Sequence, residues 1–559
     1  MCLLRVSVLA LLLALVWVGG ITSAAADIDE RLDELLAPWQ GTDSPGLVVA
    51  AWQDGRVLFE RVYGTANLEH DVPIRVDTRF NAGSVAKMFT AYAILRLETE
   101  GRLSLDDPLG RHLDGLPDHL AAVTLRQLLQ HTGGVKDDWT LATLAGWEPG
   151  DVLTHDHARR LILRQDGLDF EPGAAYGYSN SGYLLLADVI ARISGDTHAA
   201  WFEREIFGPL GMTDTLMPEH PRQLIPRLAT PYEARRAGRG RDNLERGSVQ
   251  SDVQGAGNLI TTARDLLRWA EFLLGDARVL GRLAEQAELG NGMETGYGLG
   301  MQVGRLGGEL MLHHGGAVSG YRSHLLLVPE HGLAVAVLAN VNTLRPAAIG
   351  SEVADMLSAP HAAESVADPG PTARTNVEPL RHAALEEAAR YRGRYLLETG
   401  RTLRVEAAEG QLFLVMGGSV RSLQPLDAGR FELVGEGTEV SFEGRNGSID
   451  RLTMQLPGQD LAADRIEATP VSGWDFRLYA GRYYSPALDA HYELVRTGDT
   501  LVARRSRGSD LAFAPIGNDR FLEWDPGDLM LEFQRNRRGR VTGFLLSTSR
   551  ARNVAFERQ

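Results

Sequence analysis

Asn81-Ala82-Gly83-Ser84-Val85-Ala86-Lys87-Met88-Phe89-Thr90 is the stretch whose reading decides the fold. Onward from Ser84 to Leu95 the segment is apolar all round apart from Lys87 and Thr90, the pattern of a fully buried helix. Ser84 falls in the first turn and Lys87 one turn later, so the two side chains share a face. A lysine inside such a helix is costly unless it is paired or functional. The chain carries 57 Lys+Arg, yet only two are lysines, Lys87 and Lys136. Arginine cannot give up its proton at workable pH, whereas a desolvated lysine amine can act as a base. A Ser-x-x-Lys spacing alone is a common accident. The buried setting and the scarcity of lysine turn it into a candidate nucleophile, Ser84, with its activating group.

At 559 residues the chain is too long for one compact core, and two or three domains are expected. Its 44% hydrophobic and 23% charged residues are ordinary globular material. A net charge of −16 and the absence of a Lys/Arg-rich stretch argue against nucleic acid as a partner. Residues 1–26 read as a signal peptide: Arg5, an apolar run from Val6 to Gly19, and small residues Ala24-Ala25-Ala26 before Asp27. Cleavage after Ala26 would give a periplasmic or secreted protein with no stable membrane span. The one cysteine, Cys2, lies inside this segment, so the mature chain has no disulfide or thiol chemistry.

Residues 27–360 read as the first domain. Leu47 to Trp52 and Val57 to Arg61 flank Asp54-Gly55, a strong hairpin signal, and the Ser84 helix is expected to stop at Gly101. Thr124-Leu125-Arg126-Gln127 and Thr262-Ala263-Arg264-Asp265 read as capping boxes opening further helices. Tyr178-Ser179-Asn180 precedes a helix from Gly182 to about Ser194. In an extended loop, Tyr178 and Asn180 would point the same way. Strands Tyr321 to Val328 and Leu333 to Leu338 form a hairpin around Pro329-Glu330-His331-Gly332. Gly315 and Gly316 would let backbone approach a ligand at a strand edge. His313-His314 suggests a metal, but neighbours on a strand face opposite ways and no third ligand is evident, so no metal or organic cofactor is expected.

Together Ser84-Val85-Ala86-Lys87, Tyr178-Ser179-Asn180 and His314-Gly315-Gly316 resemble, in order and separation, the three motifs of the serine β-lactamase and penicillin-binding-protein superfamily. The resemblance implies an α/β (α+β) catalytic domain with an antiparallel sheet flanked by helices. It also implies an acyl-enzyme on Ser84, with Lys87 and Tyr178 moving the proton; the residues do not say which is the base. Lys87 is expected to lower the Tyr178 phenol pKa. Asn180, His314 and Gly316 would contact substrate, and the backbone N–H groups of Ser84 and Ala317 would form the oxyanion hole. The Tyr-x-Asn motif points to the class C side, with its DD-peptidases, esterases and D-aminopeptidases. His314 stands where β-lactamases usually carry Lys, so weak binding of a substrate carboxylate is expected, with poor hydrolysis of penicillins and of peptides ending in a free carboxylate, and better hydrolysis of amides or esters lacking one.

Residues 361–385 read as a linker, and after it the sequence repeats. Tyr391-Arg392-Gly393-Arg394-Tyr395 returns 88 residues later as Tyr479-Ala480-Gly481-Arg482-Tyr483, and Arg430-Phe431 returns 90 later as Arg520-Phe521. Each copy, 386–470 and 474–559, holds about eight short alternating segments, which suits a small antiparallel β-barrel. If each copy were only half a barrel, the tail would be one domain. A catalytic domain with two barrels resembles D-aminopeptidases, implying a small peptide, amide or ester substrate. An esterase, a DD-carboxypeptidase or β-lactamase, and a non-hydrolysing acylatable sensor are the competing readings.

Overall fold

The computed structural model describes residues 30–362 and 390–559 except 40, 42, 149, 235–242, 249–250, 291, 398–401, 409–410, 417–418, 428, 434–437, 445–447, 457–458, 467–473 and 524–528. The expected signal peptide and residues 363–385 of the expected linker lie outside the described residues.

Asp54 and Gly55, at φ 48° and 86°, form the turn the dipeptide promised, between β1 (Leu47–Gln53) and β2 (Arg56–Tyr63). Further along the chain are β3 (Gln302–Leu306), β4 (Glu309–Val318), β5 (Tyr321–Val328) and β6 (Leu333–Ala339). The six strands make one antiparallel sheet in the order β2-β1-β6-β5-β4-β3. Both faces are covered, and the period of two is visible in what each side chain meets. Val48, Ala50, Ala334 and Ala336 join the main core, while Leu47, Val49, Val335 and Val337 join a second core shared with Val353 and Leu357 of the helix Pro346–Ala362. That helix runs two residues past the expected domain edge.

On the main-core side lie α1 (Ala86–Thr99), α2 (Leu125–Leu129), α3 (Asp138–Leu144), α4 (Asn180–Ser194) and α5 (Ala263–Gly275). α1 is buried along nearly its whole length, and its Phe89 stacks on Trp269 of α5 at 4.2 Å. α2 carries the full capping box at Thr124. α5 carries only half of one: Thr262 accepts from the Asp265 N–H. The Asp265 carboxylate does not reach back, because it takes the Asp214 N–H and the Thr215 hydroxyl instead.

The two tail copies are two closed eight-stranded antiparallel barrels, running from Gly393–Leu397 to Gln459–Ile466 and from Gly481–Ser485 to Val554–Arg558. The half-barrel alternative is therefore excluded. The repeated tyrosines do one job twice: the Tyr395 hydroxyl donates to Tyr391 O at 2.8 Å, and that of Tyr483 to Tyr479 O at 2.7 Å.

Candidate active site

Ser84 sits in a 3₁₀ turn, Gly83–Val85, that leads directly into α1. Gly83 is in the left-handed region at φ 52°, and a Cβ there would meet Ala317 N at 3.1 Å. A non-glycine residue would strain the turn and push it off β4. The Asn81 side chain fixes the same turn by accepting the Gly83 N–H at 2.9 Å.

One turn into the helix, Lys87 is wholly buried and uses all three donor directions of its amine. It donates to Ser84 Oγ (3.2 Å), Asn180 Oδ1 (2.8 Å) and Ala256 O (2.7 Å). Asn180 begins α4 rather than lying in an extended loop. Its Nδ2 donates to Asp137 Oδ2 at 2.9 Å, and its backbone N–H reaches the same oxygen at 2.8 Å. Asp137, which the sequence did not single out, also caps α3 through Thr140. Asn180 thus ties the lysine to a buried acid, as well as bordering the cleft.

Burial lowers the Lys87 pKa to about 7, opposed by the negative charges of Asp137 and Asp138. Tyr178 hydrogen-bonds to the Ser84 side chain, and its ring lies 4.9 Å from Lys87 Nζ. The expected lowering of its pKa is not what the structure gives. Burial pushes the phenol well up, and the Ser84 hydrogen bond and Arg550 only partly offset it. His131, held in the left-handed region at φ 58°, packs on the Tyr178 ring at 4.3 Å and fixes its position.

The third motif departs from the expected roles. His314 is buried, and both ring nitrogens are engaged, Nε2 with the Tyr297 hydroxyl at 2.9 Å and Nδ1 with Gly315 O at 2.6 Å. Burial, and secondarily Lys87, lower its pKa to about 3, so the ring is neutral. Nδ1 then donates to the carbonyl and Nε2 accepts from the tyrosine, leaving no ring nitrogen for a substrate group. Gly316 is required by packing: a Cβ would fall 2.0 Å from Ala82 O and 2.3 Å from Ser323 Oγ. His313 does face away from His314, against His324 at 3.2 Å.

Ser84, Asn180 and Ala317 border a cleft of about 270 Å³ whose lining also includes the exposed Trp139 and three acids, Asp138, Asp151 and Glu233. Asp151 is paired with Arg507 at 2.8 Å, and Glu233 accepts the Ser319 hydroxyl at 2.7 Å. Asp138 is 2% exposed, and its Oδ1 has no hydrogen-bond partner. Burial, and secondarily the Asp137 charge, raise its pKa to about 7.

The second barrel borders this centre, and its core is continuous with that of the catalytic domain. The Tyr492 hydroxyl donates to Leu144 O at 2.7 Å, at the end of α3. The chain's other lysine, Lys136, is buried, pairs with Asp169 at 2.8 Å and donates to Arg552 O at 2.7 Å. Asp137 N donates to Arg550 O at 2.9 Å, and the Arg550 guanidinium carbon lies 5.0 Å from the Tyr178 ring centre.

The sequence and the fold both have relatives among known proteins. The model of the family described as Beta-lactamase matches residues 28–355, and the chain belongs to that family. It is a serine hydrolase with the domain architecture of the D-aminopeptidases. A D-aminopeptidase from Brucella anthropi is 26% identical over 548 residues, 93% of this chain and 96% of the relative. One from Gluconobacter oxydans (strain 621H) is 26% identical over 565 residues, 96% of this chain and 99% of the relative. The octameric penicillin-binding protein homologue from Pyrococcus abyssi shares the fold, with TM-score 0.54 and 21% identity over 78% of this chain and 99% of that one.

Proposed function

We propose that the chain is an exported peptidase or amidase of D-aminopeptidase type, working through an acyl-enzyme on Ser84. The observation that carries this is Lys87: buried, hydrogen-bonded to the serine hydroxyl, and with a pKa of about 7. About half the molecules then hold a neutral amine at pH 7, able to take a proton as Ser84 Oγ attacks the carbonyl carbon. The N–H groups of Ser84 and Ala317 stabilise the oxyanion. Tyr178, kept protonated by burial, is the donor. It gives its proton to the leaving nitrogen as the C–N bond breaks, and Lys87 returns one to it. Water then adds to the acyl-enzyme, gives up its proton to the same pair and releases Ser84.

A preference for a free amine is supported by Asp138, which lines the cleft and keeps a buried carboxylate oxygen without a hydrogen-bond partner, and by the names of the relatives. A substrate ammonium would satisfy that oxygen by a charge-assisted hydrogen bond. Export rests on residues 1–26, and N-terminal sequencing of the protein from the periplasm or medium should begin at Asp27. The test of function is a panel of D- and L-amino-acid p-nitroanilides, their N-acetyl derivatives, nitrocefin and short-chain esters. The free D-amine substrates should be turned over fastest, and Ser84→Ala should abolish both turnover and fluorophosphonate labelling. Faster turnover of N-acetyl substrates would contradict the aminopeptidase reading.

A further inference from the structure

The loop 548–553, between the last two strands of the second barrel, is fixed from both sides. Within the barrel, Thr548 Oγ accepts the N–H groups of Arg550 (3.0 Å) and Ala551 (3.1 Å), and Thr548 N donates to Ala551 O at 2.8 Å. From the catalytic domain, Asp137 N grips Arg550 O, Asp169 accepts the Arg552 N–H at 2.7 Å, and Lys136 holds Arg552 O. The backbone is pinned while the Arg550 side chain stays exposed, its guanidinium over Tyr178. Among the described residues that guanidinium has no carboxylate partner.

A guanidinium on a pinned backbone, over the Tyr178 ring and without a carboxylate partner among the described residues, is suited to receive an anion on the substrate. The acid-bearing cleft that borders Ser84 and Ala317 includes neither Tyr178 nor Arg550. Tyr178 is the group that protonates the leaving nitrogen, so Arg550 lies on the leaving-group side. We propose that Arg550 is a specificity-determining residue that binds a carboxylate on the leaving-group portion of the substrate. Favoured substrates are then short peptides with a free α-amine at one end and a free α-carboxylate just beyond the scissile bond. This rests on the Ser84 acyl-transfer reading and supplies the cation that His314 does not.

The test compares D-alanyl-glycine with D-alanyl-glycinamide, which give the same acyl-enzyme and differ only in the carboxylate. Wild type should favour the acid. Arg550→Gln should lower kcat/KM for the acid by about 10- to 100-fold, mainly through KM, the range expected for one charge-assisted contact. The amide should fall by no more than a few-fold, and Arg550→Lys should retain part of the acid preference. Equal losses on both substrates would mean that Arg550 only supports Tyr178 or the fold, and would overturn the proposal. So would a wild type without acid preference. If wild-type Ser84 takes fluorophosphonate and the amide is hydrolysed without acid preference, the Arg550 proposal alone fails. If Ser84 is unlabelled and neither substrate is hydrolysed, the acyl-transfer reading fails and this falls with it.

Discussion

The two barrels are copies of one another in strand number, pairing and repeated tyrosines, but they differ in what they touch. The first keeps a core of its own, whereas the second shares one with the catalytic domain and places a loop beside the nucleophile. Two connections of the second barrel that are longer than their counterparts in the first, 506–510 and 548–553, meet the catalytic domain. Between the last two strands of the second barrel there are six residues, 548–553, where the corresponding strands of the first, Arg451–Leu456 and Gln459–Ile466, are separated by two. The longer of these connections, 548–553, is the one that reaches Asp137 and the Tyr178 ring.

Replacing 548–553 by the Pro-Gly of positions 457–458 therefore breaks the comparison most sharply. The barrel should still close. Asp137 and Asp169, however, lose their backbone partners in the loop, and turnover should fall on the order of 10²-fold, the usual result of small misplacements near reacting groups. Circular dichroism and kcat on a p-nitroanilide check both halves.

Next in size is Lys136→Met, which strands the Asp169 carboxylate. Removing one partner of a buried pair costs about 3–5 kcal/mol, read as a lower urea midpoint. The first barrel offers the control: the Arg430–Asp427 pair is half exposed on both sides, and Arg430→Ala should leave the midpoint within error.

Smaller again are the effects of two buried tyrosines at different positions, one from each barrel. Tyr492→Phe and Tyr395→Phe each lose one buried hydrogen bond, about 1 kcal/mol. Only Tyr492→Phe should also change kcat, because only Tyr492 is bonded to α3, the helix that Asp137 caps. Equal kinetic effects would mean the two barrels are coupled to the site alike.

What could be read from sequence tracks how local the cause is. Ser84 and Lys87 stand out by residue type and spacing, because helix geometry and the chemistry of lysine leave few other uses for that pattern; Tyr178 and Asn180 gain meaning only beside that pair and through the resemblance of the three motifs to a known family. The Asp54-Gly55 hairpin and the Thr124 capping box were legible for the same reason: each is fixed within four residues. His314 and Gly316 were placed on the right strand, but their roles depend on Tyr297, Ala82 and Ser323, which reach them only through tertiary packing. Asp138 gave no signal until the fold set it in the lining of the cleft with one buried oxygen left unpartnered. Arg550 is one arginine among dozens, in another domain, and only the folded chain brings it to Tyr178.

The central claim is that a buried, neutral Lys87 activates Ser84, and it is tested most directly by the pH dependence of Ser84 labelling by a fluorophosphonate. A lysine with its pKa lowered to about 7 is protonated and inactive below that pH, and becomes a base above it. Labelling should therefore rise as pH passes from 6 to 8 and level off. In Lys87→Arg, which keeps the charge and cannot deprotonate, it should be nearly absent at every pH. A flat profile in the wild type, or an Arg variant labelled as fast as the wild type, would contradict the account.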